Sequence, residues 1–291
     1  MTFLRLLTRL FIFLFAIVTP HFTHAIEIKR DIEYARIGDT SLALDLYLPA
    51  TKPHPPLLVY IHGGAWRGGS KTDCPLAPLA HEGFAVASID YRLSTLAPFP
   101  AQVHDIKAAL RYLRAEQSAL GIDATRIVIA GSSAGGHLAA LVGVTNGNKE
   151  LEGTLGQHPE TSSDVQGIIS LFGASDLMTI LDQSTEHGRS VRIPALQLLL
   201  GGLPTEKPDL AKLASPIQHI DAHDPPLLLI HGDADPQMPP EQSKELATAY
   251  QKAGLSVQFI LLPGAVHGGK VFYDPERMAL MKSFLESTGS K

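Results

Sequence analysis

The chain has 291 residues, 45% of them apolar and 18% charged, with a formal net charge of −5. That length suits one large globular domain with a substantial core, and the absence of any basic run excludes a nucleic-acid footprint. Cys74 is the only cysteine, which excludes an internal disulfide and leaves stability to the core.

The N-terminus has its own character. Arg5 and Arg9 precede an apolar run at 10–18, and Thr23-His24-Ala25 stands before Ile26. A positive start, a short apolar stretch and a small-residue exit describe a secretory signal peptide over 1–25. The run is shorter than the ~20 residues that span a bilayer, which favours cleavage over a retained anchor. The expectation is a secreted or periplasmic chain over 26–291, with no stable membrane insertion after cleavage and an undetermined oligomeric state.

Beyond Ile26, short apolar runs alternate with helical patterns, the signature of a mostly parallel sheet covered by helices. Residues 26–35 and 42–48 read as an opening antiparallel pair, and 56–62 and 84–89 as buried strands. In 101–116, Val103, Ile106, Leu110 and Leu113 recur at steps of three and four, one apolar helix face. The strand 126–130 runs into the Gly-Ser-rich turn 131–136 and a helix to about Val144. The segment 145–164 is polar and reads as a surface loop. Strands follow at 165–172, 226–231 and 256–262, with helices at 241–251 and 275–285. The stretch 175–224 breaks this rhythm. It is too long for a plain connection and too short for a separate domain, so it reads as a small cap-like insertion over the strand tips.

Gly131-Ser132-Ser133-Ala134-Gly135 lies between a strand and a helix. A sharp turn there holds a nucleophilic serine in a strained conformation, and glycines two places either side prevent backbone clashes. Only Ser133 satisfies this frame. Upstream, His62-Gly63-Gly64-Ala65-Trp66 follows an apolar strand. Bare glycine amides can approach a ligand closely, so Gly63 and Gly64, with the amide of Ala134, are candidate oxyanion donors. Ala65 is a further possible donor. His62 reads as a brace for this loop.

After the serine an acid and then a histidine are expected, each just past a strand. His231-Gly232-Asp233-Ala234-Asp235 and Gly264-Ala265-Val266-His267 end the last two strands. His267 reads as the base. Asp235 is favoured to orient it, with Asp233 stabilising the turn. Trp66 and Phe99 are candidates for the substrate pocket, and equally for the core. His219 and His223 have a metal-ligand spacing but lack the glutamate of His-Glu-x-x-His, so no metal site is assigned. No cofactor signature appears. Asp90, Arg92 and Asp105 read as a structural ion-pair group, and His137 as packed rather than catalytic.

Together these residues resemble the hormone-sensitive-lipase-like and feruloyl-esterase-like (BD-FAE-type) branches of the α/β-hydrolases. Those branches bear His-Gly-Gly-x-Trp and Gly-x-Ser-x-Gly-Gly; Asp90-Tyr91-Arg92, Gly131–His137 and His231-Gly-x-x-Asp235-x-x-Met-Pro239 follow the same pattern. The resemblance covers about 26–288. It implies an α/β-hydrolase fold and a serine carboxylic-ester hydrolase with a Ser133–His267–Asp235 triad and an acyl-enzyme. Expected substrates are small or polymer-linked short-chain, acetyl or aryl esters. One departure is Ala65, where many members carry a third glycine. The rival activities are an amidase or peptidase with the same triad, and an inactive binding protein of the same fold.

Overall fold

The computed structural model describes residues 26–50 and 52–288, so the expected signal segment, 1–25, lies outside the described residues. Strands β1 (Ile26–Ile37) and β2 (Thr40–Pro49) form the anticipated antiparallel pair. They lead into β3 (Pro56–Ile61), β4 (Ala85–Ile89), β5 (Asp123–Ser132), β6 (Gly167–Leu171), β7 (Leu227–Gly232) and β8 (Val257–Leu262). All eight make one sheet in the order β1-β2-β4-β3-β5-β6-β7-β8. β2 meets β4 antiparallel, and every pairing from β4 through β8 is parallel.

Parallel neighbours need crossovers that return the chain to the same end of the sheet, and these crossovers cover its faces. The longer helices are α1 (Ala101–Ala115), α2 (Ala134–Gly143), α3 (Glu186–Leu200), α4 (Glu241–Lys252) and α5 (Pro275–Thr288). In β3, Leu57, Val59 and Ile61 join the core shared with α1, α2, α3 and α4. Leu58 and Tyr60 join the opposite core, where Met281, Phe284 and Leu285 of α5 pack. The period-two alternation of a strand thus explains why both faces of β3 are apolar.

Two segments between the strands make long-range contacts of their own. The stretch 145–164 is mostly irregular and largely unburied, as expected of a surface loop, but part of it is tied down. Asn148 caps a short helix, Lys149–Glu152, and the Glu152 carboxylate accepts hydrogen bonds from Lys107 at 3.1 Å and Arg111 at 2.5 Å, both buried on α1. Polar residues here answer buried cations on a distant helix, a pairing that local composition does not reveal.

The 175–224 insertion contains α3 and shorter helical turns, and it docks on two loops and on α2. The Thr185 hydroxyl donates to the Pro236 carbonyl at 2.7 Å, the Leu199 carbonyl accepts the Phe99 amide at 2.8 Å, and the Ala214 carbonyl accepts from His137 at 2.7 Å. Among the described residues, no helix is long and apolar enough to cross a membrane.

Candidate active site

The chain leaves β3 for β4 on one side and then crosses back to β5 on the other. The loops after β3 and β5 therefore diverge at a topological switch point, where open α/β sheets hold their ligands. Ser133 directly follows β5, and the glycine loop directly follows β3.

Ser133 has φ 54° and ψ −117°, a conformation that costs a non-glycine residue about 1–3 kcal/mol. The surroundings enforce it. Its amide donates to the Leu171 carbonyl at 2.9 Å, while its carbonyl accepts from the His137 amide at 3.0 Å. A Cβ on Gly131 would lie 2.2 Å from the Gly135 carbonyl oxygen, and one on Gly135 would lie 2.1 Å from that of Ile61. Only glycine at both positions lets β3, the turn and α2 pack this closely.

The Ser133 Oγ lies 2.8 Å from His267 Nε2, and His267 Nδ1 lies 2.6 Å from Asp235 Oδ2. The other carboxylate oxygen, Asp235 Oδ1, accepts the amides of Gln237 at 2.8 Å and Met238 at 2.9 Å. Burial pushes the Asp235 carboxyl up, but hydrogen bonds from His231 and His267 outweigh it and hold the group well below the usual carboxylate range. Asp235 is therefore a fixed anion. With Nδ1 donating to it, the neutral His267 leaves Nε2 free to accept the serine proton.

Asp233, the other carboxylate of this loop, takes a different partner. Its Oδ1 accepts the Gly264 amide at 2.6 Å and ties the acid loop to the histidine loop.

On the opposite side of Ser133, Gly63 packs against the nucleophile turn; a Cβ there would lie 3.0 Å from the Ser132 carbonyl oxygen and 3.4 Å from Ser133 Cβ. Gly64 has φ 105°, and its carbonyl accepts the amides of Arg67 and Gly68. Ala65 and Trp66 continue in the left-handed region at φ 52° and 59°. His62 stacks on Tyr91, ring centroids 4.4 Å apart, and its Nδ1 donates to the Gly63 carbonyl at 2.8 Å, bracing the loop. Ala134 begins α2, so its amide is one of the N-terminal donors left without a helical acceptor.

Trp66 and Phe99, which sequence leaves open between pocket and core, are both placed among buried residues. Trp66 is fully buried, its indole N–H donating to His137 Nδ1 at 3.1 Å, and Phe99 sits in the same core. An aromatic after a glycine loop suits a pocket or a core equally, and only packing separates the two. His137 donates its other ring nitrogen to Ala214, and burial pushes its pKa down to about 4.

Arg92 and Asp105 form a fork-like ion pair at 2.7–3.1 Å, and Asp90 accepts the Lys71 amide at 2.7 Å. His219 Nε2 contacts the Leu213 carbonyl at 2.8 Å. Burial pushes the Cys74 thiol up to about 12, unsuited to a nucleophile.

Phe172 carries no motif signal, yet it completes the site. It has φ 40°, and its ring meets His267 edge-on at 4.9 Å and Phe272 at 4.5 Å. The one available hint was its place at the end of a strand beside the nucleophile strand.

The sequence model of the BD-FAE family matches residues 44–250. Esterase LipC of Mycobacterium tuberculosis is 32% identical over 262 residues, covering 86% of this chain and 63% of LipC. The chain spans about three fifths of the length of the curated relatives it matches. A truncated carbohydrate esterase from gut microbiota superposes with a TM-score of 0.84 at 36% identity, covering 92% of this chain and 98% of that one. A bifunctional GH43-CE protein of Bacteroides eggerthii gives a TM-score of 0.79 at 34% identity, over 90% of this chain and 35% of its own. The sheet order, the helices on both faces and these likenesses define an α/β-hydrolase fold. The family match extends over most of the chain, and the chain belongs to the BD-FAE family.

Proposed function

We propose that the chain is a secreted serine carboxylic-ester hydrolase, acting on short-chain, acetyl or aryl (feruloyl-like) esters carried by carbohydrate. The observation that carries this reading is the continuous relay from Ser133 Oγ to His267 Nε2 at 2.8 Å and from His267 Nδ1 to Asp235 Oδ2 at 2.6 Å. His267 takes the hydroxyl proton as the Ser133 oxygen bonds to the ester carbonyl carbon. The developing oxyanion is met by the amides of Ala134 and the Gly63-Gly64 loop; losing one such donor typically costs about 10²–10³ in turnover. The carbon–oxygen bond to the alcohol then breaks, and the alcohol leaves with the proton from His267. Water repeats the sequence on the acyl-enzyme and releases the acid. The carbohydrate assignment rests on the gut-microbiota relative, itself a carbohydrate esterase. Secretion rests on the charged, apolar and small-residue order of 1–25.

The test is labelling of the intact protein by a fluorophosphonate probe, lost in Ser133→Ala, run beside matched ester and amide substrates. Ester cleavage and Ser133-dependent labelling are expected. A folded protein that neither labels nor cleaves esters is a binding protein, and faster amide cleavage makes it an amidase.

A further inference from the structure

The carboxylate of Asp235 faces two histidines. Besides His267, the fully buried His231 at the end of β7 brings its Nε2 to 3.0 Å from the Met238 carbonyl and 3.4 Å from Asp235 Oδ2. Its Nδ1 lies 2.7 Å from the hydroxyl of Ser243, a buried residue in the first turn of α4. These partners define the ring's protonation. A carbonyl oxygen only accepts, so Nε2 carries the hydrogen, pointing mainly at Met238 with the carboxylate as a longer second acceptor. A hydroxyl can donate, so a neutral ring accepts the Ser243 proton at Nδ1.

We propose that His231 is a positioning residue for hydrolysis: held in one tautomer by Ser243, it sets the place and the effective charge of Asp235, and through Asp235 the basicity of His267. This inference rests on the ester-hydrolase reading of the Ser133 site.

The geometry supports this in two ways. The Met238 amide donates to Asp235 Oδ1 while the Met238 carbonyl accepts from His231. The imidazole therefore closes the acid loop on itself and fixes where the carboxylate sits. Its N–H also takes a share of the negative charge on Oδ2, the oxygen that orients His267. The other charged groups facing this cluster are Arg192 of α3, whose charge acts on Asp235, and Glu241 of α4, which feels His231. Both remain when His231 is replaced. With the imidazole gone, Oδ2 carries more charge and stabilises protonated His267 more strongly. The acid limb of activity then moves to higher pH.

The experiment compares His231→Leu, His231→Gln and Ser243→Ala in the full chain. Each is assayed for kcat, KM and pH profile on a short p-nitrophenyl ester. The ring titration of His267 is followed by NMR in a Ser133→Ala background, which needs no turnover. For His231→Leu, kcat should fall about 10–100-fold with KM nearly unchanged, and both the acid limb and the NMR midpoint should rise by about half a pH unit. The amide donor of His231→Gln should recover most of the loss, and Ser243→Ala should fall between.

The proposal is overturned if His231→Leu folds with an unmoved acid limb and NMR midpoint, or if His231→Gln is as impaired as His231→Leu. Should His231→Leu not fold, Ser243→Ala decides, and wild-type kcat and midpoints there overturn the proposal. If the wild-type protein cleaves no ester, the hydrolase reading fails by itself, and the NMR midpoints alone judge the coupling of His231 to His267.

Discussion

The Phe172 ring stands edge-on to the His267 imidazole, centroids 4.9 Å apart and planes at 71°, and Phe172 directly follows Leu171, whose carbonyl anchors the Ser133 amide. One turn at the end of β6 thus touches both Ser133 and His267. The backbone of Phe172 is itself held at φ 40°, with its amide donating to the Ile230 carbonyl at 2.8 Å.

An edge-on aromatic pair contributes about 0.5–1.5 kcal/mol beyond its buried area. Phe172→Leu keeps most of the apolar volume and loses that contact. Turnover of a short ester should fall about tenfold with little change in KM, as expected when the imidazole is less firmly aimed. Steady-state kinetics beside a thermal melt check this; an unchanged kcat in a well-folded variant removes Phe172 from the site.

Trp66 offers a test of core against pocket. Its indole N–H satisfies His137 Nδ1, and the Arg192 guanidinium lies 5.9 Å from its ring centroid. Trp66→Phe leaves the buried His137 nitrogen unpaired, at a cost of about 1–3 kcal/mol. Denaturant melts should show that loss, while the ratio of acetyl to butyryl ester turnover holds. A shifted chain-length ratio with unchanged stability would return Trp66 to the pocket.

Ala65 occupies φ 52°, where a glycine would sit without strain. The left-handed conformation costs a non-glycine residue about 1 kcal/mol or more, partly offset by the greater unfolded-state freedom that glycine would bring. Ala65→Gly should therefore stabilise the fold by up to about 1 kcal/mol and preserve ester turnover. A melting temperature several degrees lower would show that the methyl group packs usefully.

His137 sets part of the acid stability. Burial lowers its pKa from 6.5 to about 4. The unfolded chain takes up this proton near 6.5, whereas the folded chain refuses it until about 4. Stability from this group is complete above 6.5, falls as pH drops through that window, and declines no further below it. The shift corresponds to about 3 kcal/mol, and the buried His62, also lowered by burial, acts in the same direction. Urea melts at about pH 7.5 and pH 4.5 should show the loss. The difference should shrink in His137→Gln; an equal difference in both proteins would exclude His137 as its source.

Much of this architecture was legible along the chain. Strand and helix alternation and the glycine frame around Ser133 follow from local periodicity and backbone sterics. These act between residues a few positions apart. The glycines were readable because two backbones approach within about 2 Å of where a side chain would begin, which no other residue tolerates.

Other features belong to the tertiary structure alone. Sequence favoured Asp235 over Asp233 without fixing the contacts of either; the folded chain sends Asp233 to the Gly264 amide and Asp235 to His267. It buries Trp66 and Phe99, brings Phe172 against His267, sets His231 beside Asp235 and seats Glu152 over the cations of α1. Each of these depends on how two distant segments pack against each other. Side-chain direction at such a contact is decided by the fit and polarity of the partner surface, and neither is encoded in the spacing of neighbours along the chain.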